Sequence, residues 1–278
     1  MSLTYKSLSK RPQIFLRLMG ISISEFDAIL LKLEPLWHEK IIGSYKRQGR
    51  RYDNSVAEIL MMLLLYYRTY LTQEFIGYLV NLDRSNVCRA IKKLEPILAS
   101  IVAIKKNRVV KREEAENLII DATEQPIERP KKDQKKYYSG KKKMHTLKVE
   151  IRVTADGEIK HLSKPRPGSI HDFALHKEEP PIPENVRVFV DSGYQGIDKI
   201  HKEVDFPYKK PKNGELDKEE KEYNRGLSSF RVKVENIIGD LKTFRILGNR
   251  YRNKRKRYGV KFNIIAGLVN IKNGFAAV

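Results

Sequence analysis

The spacing of apolar residues changes near residue 105, and this change limits the possible folds more than any other feature of the chain. Before that point, apolar residues recur every three or four positions, which is typical of amphipathic helices. After it, several segments alternate apolar and polar residues, which is typical of strands. We therefore predict a helical region at 1–104, a charged connector at 105–117 and a mixed α/β (α+β) region at 118–278.

Capping-box spacing marks two helix starts in the first region, at residues 22–25 and 55–58. Further on, the pattern predicts a helix over 72–80, a turn at 81–84 and a second helix that starts at Ser85 and stops before Pro96. The inward stripe of the second helix would be Val87, Ile91 and Leu94. Cys88 lies beside this stripe and is interpreted as a packing residue.

Two short helices joined by a tight turn describe a helix-turn-helix, whose second helix contacts DNA. Its polar or basic outer residues would be Arg84, Asn86, Arg89, Lys92 and Lys93. The alternative is an ordinary helical hairpin with a solvated basic face. The excess of Lys and Arg in the chain favours the interpretation that the second helix contacts DNA.

The net charge of the chain is +21, from 55 Lys and Arg against 34 Asp and Glu. Such an excess of positive charge destabilises a compact protein by electrostatic repulsion, and it is usually explained by a polyanionic partner. Double-stranded DNA is the leading candidate, with an anionic membrane surface second. The most apolar run, residues 59–67, is too short to span a bilayer, and the first residues do not have the pattern of a signal peptide. A single cysteine excludes an intrachain disulfide and a cysteine-rich zinc site, and it fits a reducing, cytoplasmic setting.

The second region predicts a mixed sheet flanked by helices, in the order three strands, helix, strand, helix, strand, helix. The predicted strands cover 118–123, 146–157, 157–165, 187–194 and 205–212. The predicted helices cover 169–177, 197–205, 227–247 and a last segment from about Phe262. Residues 212–226 are polar and are interpreted as a loop.

Two aspartates, Asp121 and Asp191, each follow an apolar strand-like run and precede small or turn-forming residues. Functional groups of open α/β sheets gather at such strand ends. Gly193 would permit a sharp turn and a close backbone approach beside Asp191. The alternative for each aspartate is a helix cap or a solvated loop residue.

The predicted long helix carries Arg231, Glu235 and Lys242 at i, i+4 and i+11, on one face. The alternative there is a solvated Arg–Glu pair. Three carboxylates, Asp121, Asp191 and Glu235, would suit Mg²⁺ or Mn²⁺, with two ions expected, for phosphodiester chemistry. Arg231 and Lys242 would then hold phosphates.

Three segments of the chain resemble the DDE-type transposases of bacterial insertion sequences, whose catalytic domain has a ribonuclease H-like fold. They are LIIDAT, VFVDSGYQG and RVKVENIIGDLK, supported by YYSGKKKMHTLK and PGSIHDF between the first two. The resemblance spans about residues 50–275. The third motif departs from the family pattern, because Ser228 stands where the family has tyrosine, and Tyr223 is a candidate substitute.

The resemblance implies nicking at transposon ends and attack of the freed 3′-hydroxyl on target DNA, with Mg²⁺ or Mn²⁺ as the cofactor. It also implies a homo-oligomer that pairs two DNA ends, in the nucleoid of a prokaryotic cytoplasm. Two alternatives remain open: a catalytically inert DNA-binding regulator, and a metal-dependent nuclease without strand transfer.

Several other residues are candidates for supporting roles. His171, Asp172, Gly193 and Tyr194 could support the active site, although the spacing of Ser169 and Asp172 favours a helix cap. His145 could contact DNA, but a surface histidine is the simpler interpretation. Glu124, and after it Glu128, would replace Glu235 as a ligand if that residue proved dispensable.

Two basic runs with interleaved tyrosines, residues 129–143 and 241–261, predict phosphate contacts and base stacking. Lys141, Lys142 and Lys143 belong to the first run.

Overall fold

The computed structural model describes residues 3–44, 54–104, 109–211 and 214–275. The chain forms two compact units. The first, which we call the helical unit, comprises Met1–Ala103, Leu241–Asn249 and Lys254–Val278. The second, the sheet unit, comprises Ile104–Asp240 and Arg250–Asn253. Of the predicted charged connector, residues 105–108 lie outside the described part of the chain.

The helical unit begins with six helices: α1 (Tyr5–Leu8), α2 (Pro12–Met19), α3 (Ile23–Trp37), α4 (Val56–Thr69), α5 (Gln73–Val80) and α6 (Arg84–Val102). A π-helical turn, His38–Ile42, follows α3. Both predicted capping boxes are confirmed, with Ser22 and Ser55 at the N-caps of α3 and α4. Such a cap contributes about 1 kcal/mol to stability. Helix α4 is buried along its length, which explains its nearly continuous apolar sequence.

The tight turn of the helix-turn-helix lies between α5 and α6, as predicted. Asn81 ends α5 in the left-handed conformation, and its N–H donates to the carbonyl of Gly77. A β-carbon at Gly77 would lie 2.2 Å from the carbonyl oxygen of Leu82, so the turn requires glycine there. The inward stripe is confirmed, since Val87, Ile91 and Leu94 are buried.

The prediction that the second helix stops before Pro96 is wrong, because α6 continues to Val102. A proline inside a helix leaves the carbonyl four residues earlier without its N–H donor. Here that carbonyl belongs to Lys92, and it accepts a 3.3 Å hydrogen bond from Nη2 of Arg257 instead. Ile97, Leu98 and Ile101, which follow the proline, are buried and hold the extra turns in place.

The C-terminal part of the chain adds two helices to the helical unit: α10 (Arg245–Gly248) and α11 (Tyr258–Lys272). Helix α11 starts four residues before the predicted Phe262 and packs against α6. A β-carbon at Gly267 would lie 1.6 Å from the carbonyl oxygen of Val102, so the two backbones touch. The predicted regions 1–104 and 118–278 place α10 and α11 with the sheet, whereas in the structure both helices belong to the helical unit.

The described residues of the sheet unit form seven strands: β1 (Asn117–Pro126), β2 (Tyr138–Ser139), β3 (Met144–Thr154), β4 (Ile159–Leu162), β5 (Arg166–Pro167), β6 (Arg187–Phe189) and β7 (Val204–Asp205). Its helices are α7 (Gln134–Tyr137), α8 (Asp172–His176) and most of α9 (Lys218–Thr243). The sheet path is β2-β3-β1-β6-β7, and β4 and β5 also pair with β3. Pairing is antiparallel from β1 through β3 to β4 and parallel from β1 through β6 to β7. The predicted mixed sheet is confirmed. The order of its elements differs from the prediction, because α7, β2 and β5 were not predicted and 3₁₀ turns stand where a helix was expected between β6 and β7.

Several predicted bounds in this region are wrong. Strand β1 runs five residues past Asp121, because β3 remains paired with it as far as Pro126. The expected helix at 197–205 is a single 3₁₀ turn, Ile197–Lys199, and the last strand has two residues.

Helix α9 begins nine residues before the predicted Leu227, within the segment interpreted as a loop. Its start is a reciprocal cap: the N–H of Glu220 donates to Asp217 Oδ1 at 2.7 Å, and the N–H of Asp217 donates to Glu220 Oε2 at 3.0 Å. The helix ends at Thr243, since Phe244 adopts an extended ψ of 101° before α10.

Among the described helices, none combines the length and the apolar character needed to cross a bilayer.

Candidate active site

Asp121 and Asp191 lie on the same face of the sheet, on neighbouring parallel strands. The register pairs Ile119 with Phe189, so two residues further along each strand the side chains again share that face. Asp191 lies two residues beyond the end of β6, after Val190, whose N–H donates to the carbonyl of Asp205. Asp121 lies just beyond the part of β1 that pairs with β6. Both carboxylates therefore lie on one face of the sheet, where β1 and β6 separate.

The Asp121 carboxyl has a perturbed pKa. Burial raises its pKa to about 6, and the charges of Asp191 and Asp172 act in the same direction. The N–H of Ala122, which donates to Asp121 Oδ1 at 2.8 Å, and the charge of Arg231 oppose the shift. A partly desolvated carboxylate beside other carboxylates gains most from a bound cation.

Asp191 is held by the turn that follows it. Its Oδ1 accepts a 2.7 Å hydrogen bond from the N–H of Gly193, in the 3₁₀ turn Ser192–Tyr194. A β-carbon at Gly193 would lie 2.9 Å from that oxygen and 2.7 Å from Asp172 Oδ2. The predicted need for glycine at a close backbone approach is therefore met, and the neighbour is Asp172.

Helix α9 covers the same face of the sheet. The rings of Phe189 and Phe230 pack with centroids 4.3 Å apart. Within the sheet unit, the inward stripe of α9 includes Leu227, Val234 and Ile237. Arg231 lies on this stripe, and its Nε is buried without a hydrogen-bond partner in the described structure. The positive charge of Arg231 lowers the pKa of the Asp121 carboxyl.

Glu235 lies one helical turn after Arg231 and is exposed. In the described part of the chain, no three His, Cys, Asp or Glu side chains come close enough to hold a metal ion. Asp121 and Asp191 lie on one face of the sheet, and Asp172 and Asp191 both lie close to Gly193. Arg231 and Glu235 lie one turn apart on α9. Lys242, exposed, lies near the end of α9.

The Asp172 side chain hydrogen-bonds to a residue of the sheet and does not cap a helix. Its Oδ1 accepts a 2.7 Å hydrogen bond from Nζ of Lys148, which also donates to the carbonyl of Ile170. The predicted cap by Ser169 is wrong: His171 is at the N-cap of α8, and Ser169 Oγ donates to the carbonyl of Lys136. The side chain of His171 is exposed.

A buried polar network on the opposite face of the sheet was missed by sequence reasoning. Glu150 is fully buried, with Arg152 Nε at 2.9 Å and His176 Nδ1 at 3.0 Å. Burial would raise the pKa of the Glu150 carboxyl, but His176 and Arg152 outweigh that effect and lower it. The sequence did contain a signal for this network: Lys148, Glu150 and Arg152 alternate in charge at every second residue, so they lie on one face of β3.

Tyr194 connects this network to the site. It is fully buried, and its hydroxyl has no hydrogen-bond partner in the described structure. Burial raises its pKa, and the charges of Glu150, Asp172, Asp121 and Asp191 raise it further.

The other sequence candidates lie elsewhere. Glu124 is three residues from Asp121 on β1, hence on the opposite face, where it accepts from Thr146 Oγ1 and lies 3.6 Å from Lys148 Nζ. Glu128 is exposed. Tyr223 donates its hydroxyl to Asp205 at 2.8 Å, and Ser228 is exposed. His145 packs edge-on against Tyr138.

The predicted DNA-contacting residues are distributed over both units. Arg84, Asn86, Arg89 and Lys92 are exposed on α6, whereas Lys93 and Cys88 are half-buried. Arg89 Nη2 donates to Asn86 Oδ1 at 2.6 Å. In the sheet unit, Lys141, Lys142 and Lys143 are exposed in the turn before β3.

Comparisons with known proteins indicate the family of the chain. Residues 120–270 match the family described as DDE superfamily endonuclease, and residues 55–102 match the helix-turn-helix of DDE superfamily endonuclease. A protein of Microchaete diplosiphon described as probable transposase for insertion sequence element IS702 is 40% identical over 262 residues, which cover 92% of this chain and 93% of that protein. No solved structure gives a significant match.

Proposed function

Because the chain belongs to the DDE superfamily of transposases and carries its helix-turn-helix, we propose that it cuts DNA at the ends of an insertion sequence and joins the freed 3′-hydroxyl to target DNA. The observation that carries the proposal is the meeting of Asp121 and Asp191 on one sheet face, where the Asp121 carboxyl is buried enough to raise its pKa to about 6. Pairing of two DNA ends requires at least two copies of the chain, so we expect a homo-oligomer on DNA.

Asp121, Asp191 and Glu235 would hold one or two Mg²⁺ or Mn²⁺ ions. Carboxylate oxygens suit these ions, which also keep water and substrate phosphate oxygens as ligands. When bound, such ions activate the attacking oxygen and stabilise the leaving one. Glu235 would join the two aspartates from α9, since Phe230 of this helix packs on Phe189 and the charge of Arg231, one turn before Glu235, lowers the pKa of Asp121.

Arg231 would bind a phosphate oxygen of the DNA strand. Its buried Nε has no hydrogen-bond partner in the described structure, and a guanidinium in that state gains from a bidentate anion. Asp172 would act indirectly: anchored by Lys148, it packs against Gly193 and fixes the turn that holds Asp191.

The test is a gel assay with the full chain, Mg²⁺ and duplexes taken from the DNA on both sides of the gene. Cleavage followed by joining of the 3′-hydroxyl to a second duplex is the expected result. Cleavage without joining would indicate a metal-dependent nuclease instead. Binding with neither reaction would indicate a DNA-binding regulator.

Metal affinity should depend on pH through Asp121. The folded-state pKa of about 6 lies above the ordinary aspartate value of 3.8, so the folded protein favours the protonated carboxyl and loses that contribution to stability as pH rises through 6. A cation needs the ionised form, so affinity for Mn²⁺ should fall as pH drops below 6, with proton release on binding near that pH. Titration calorimetry in buffers of different ionisation enthalpy measures both.

The matched control for this titration is Asp121→Asn, which should bind Mn²⁺ more weakly and with little pH dependence. A wild-type affinity that stays constant from neutral pH to well below 6 would contradict the assignment of Asp121 as a ligand.

A further inference from the structure

The second helix of the helix-turn-helix carries a buried acid that DNA contact by itself does not require. Glu95 on α6 is 1% exposed. Its Oε1 accepts hydrogen bonds from Tyr67 Oη at 3.0 Å and from Lys261 Nζ at 2.6 Å. Burial lowers the pKa of the Lys261 ammonium, and Glu95 opposes part of that shift. This buried pair joins α6 to α11 inside the helical unit.

Arg257 makes a second connection between the same elements. Its Nη2 lies 3.2 Å from Glu95 Oε2, as an ion pair without hydrogen-bond geometry, and donates to the carbonyl of Lys92 at 3.3 Å. That carbonyl is available because Pro96 has no N–H to offer it. Arg257 therefore fixes the start of α11 to the middle of α6.

The residues that Arg257 anchors form a short basic segment, residues 254–257, which we call the basic turn. Lys254, Arg255 and Lys256 are exposed there. The sequence from Leu241 to Lys261 contains no acidic residue. Within the same unit, the outer face of α6 exposes Arg84, Arg89 and Lys92. Two basic sets from distant parts of the sequence thus belong to one unit and are joined at Lys92.

We propose that the basic turn and the outer face of α6 form one phosphate-binding surface, so that a single DNA duplex contacts both. In this arrangement Glu95 and Arg257 are positioning residues: they touch no DNA but set where the exposed lysines lie. The inference rests on DNA binding by the helix-turn-helix, and it adds a second contact that the helix-turn-helix family match at residues 55–102 does not include.

The test measures DNA affinity against salt concentration by fluorescence anisotropy, with full-length protein, EDTA and a short labelled duplex from the DNA flanking the gene. All proteins carry Asp191→Asn, which removes cleavage from the measurement. Each lost phosphate contact lowers the slope of log affinity against log salt by about 0.9. Lys254→Gln with Lys256→Gln should therefore lower the slope by close to twice that amount.

Lys6→Gln with Lys10→Gln is the matched control, because it removes the same charge from exposed positions of the same unit. The slope of this control should differ from that of the parent protein by less than about half of the change expected for one lost phosphate contact. Equal slopes for the two double variants would overturn the proposal, since net charge alone would then explain binding.

Arg257→Lys tests the positioning role at constant charge. The lysine side chain is one bond shorter than that of arginine, so its Nζ falls short of the position from which Nη2 reaches both the Lys92 carbonyl and Glu95. We expect a lower salt slope with an unchanged number of duplexes bound per chain. If the salt slope of Arg257→Lys equalled that of the parent protein, the positioning role of Arg257 would be wrong. Because the assay contains no metal and no cleavage step, failure of the proposed catalytic function would leave these results interpretable.

Discussion

Asp191→Asn should abolish DNA cleavage while the protein remains folded. A carboxylate that holds a divalent ion supports several kcal/mol of transition-state stabilisation, and each 1.4 kcal/mol corresponds to a factor of ten in rate. We therefore expect a loss of at least about 10³-fold in the single-turnover cleavage rate. The asparagine retains an oxygen for the Gly193 N–H, so circular dichroism and the melting temperature should change little.

Asp198→Asn is the matched control for this experiment. Asp198 lies seven residues further on, is exposed, and occupies the 3₁₀ turn Ile197–Lys199. The Asp198→Asn variant should cleave DNA at the same rate as the parent protein. If Asp191→Asn cleaved within tenfold of the parent, Asp191 would not be a metal ligand, and the sheet-face site would lose its central residue.

Gly267→Ala should destabilise the protein strongly, although alanine is the best helix former. A β-carbon there would lie 1.6 Å from the carbonyl oxygen of Val102 and 2.6 Å from its carbon. Both are backbone atoms, so α6 and α11 must move apart. We expect a loss of about 3 kcal/mol or more in the free energy of unfolding, at the upper end for overpacked cores. Urea denaturation with a constant m value measures it.

The same substitution at Gly239 provides the control with the opposite sign. Gly239 is in α9, and a β-carbon there would have nothing within 4 Å. Gly239→Ala should therefore stabilise the protein by about 0.5–1 kcal/mol, from backbone entropy alone. If Gly267→Ala matched Gly239→Ala in sign and size, the close approach of α6 and α11 would be wrong.

Local sequence signals predicted the elements well where the cause was local. The capping boxes at Ser22 and Ser55 involve neighbours three residues apart, and the inward stripe of α6 follows helical spacing. The mixed sheet was also predictable, because its longer strands carry their own periodicity, whereas the short elements α7, β2 and β5 were not predicted. These interactions do not depend on where the rest of the chain lies.

Element ends were predicted less well, because distant partners decide them. Helix α6 passes through Pro96 since Arg257 satisfies the Lys92 carbonyl, and β1 passes Asp121 since β3 stays paired with it. The Asp217–Glu220 cap of α9 was a local signal that was present in the sequence and overlooked.

The sequence by itself determined which residues could do chemistry: Asp121 and Asp191 at matched strand settings, and Arg231 with Glu235 on one helix face. Only the tertiary structure decided which of them meet. Strand register places the two aspartates on one face, and packing of Phe230 on Phe189 brings Arg231 to them. Likewise, only folding joins the basic turn to α6, because Glu95 and Lys261 are 166 residues apart and are paired only once buried together.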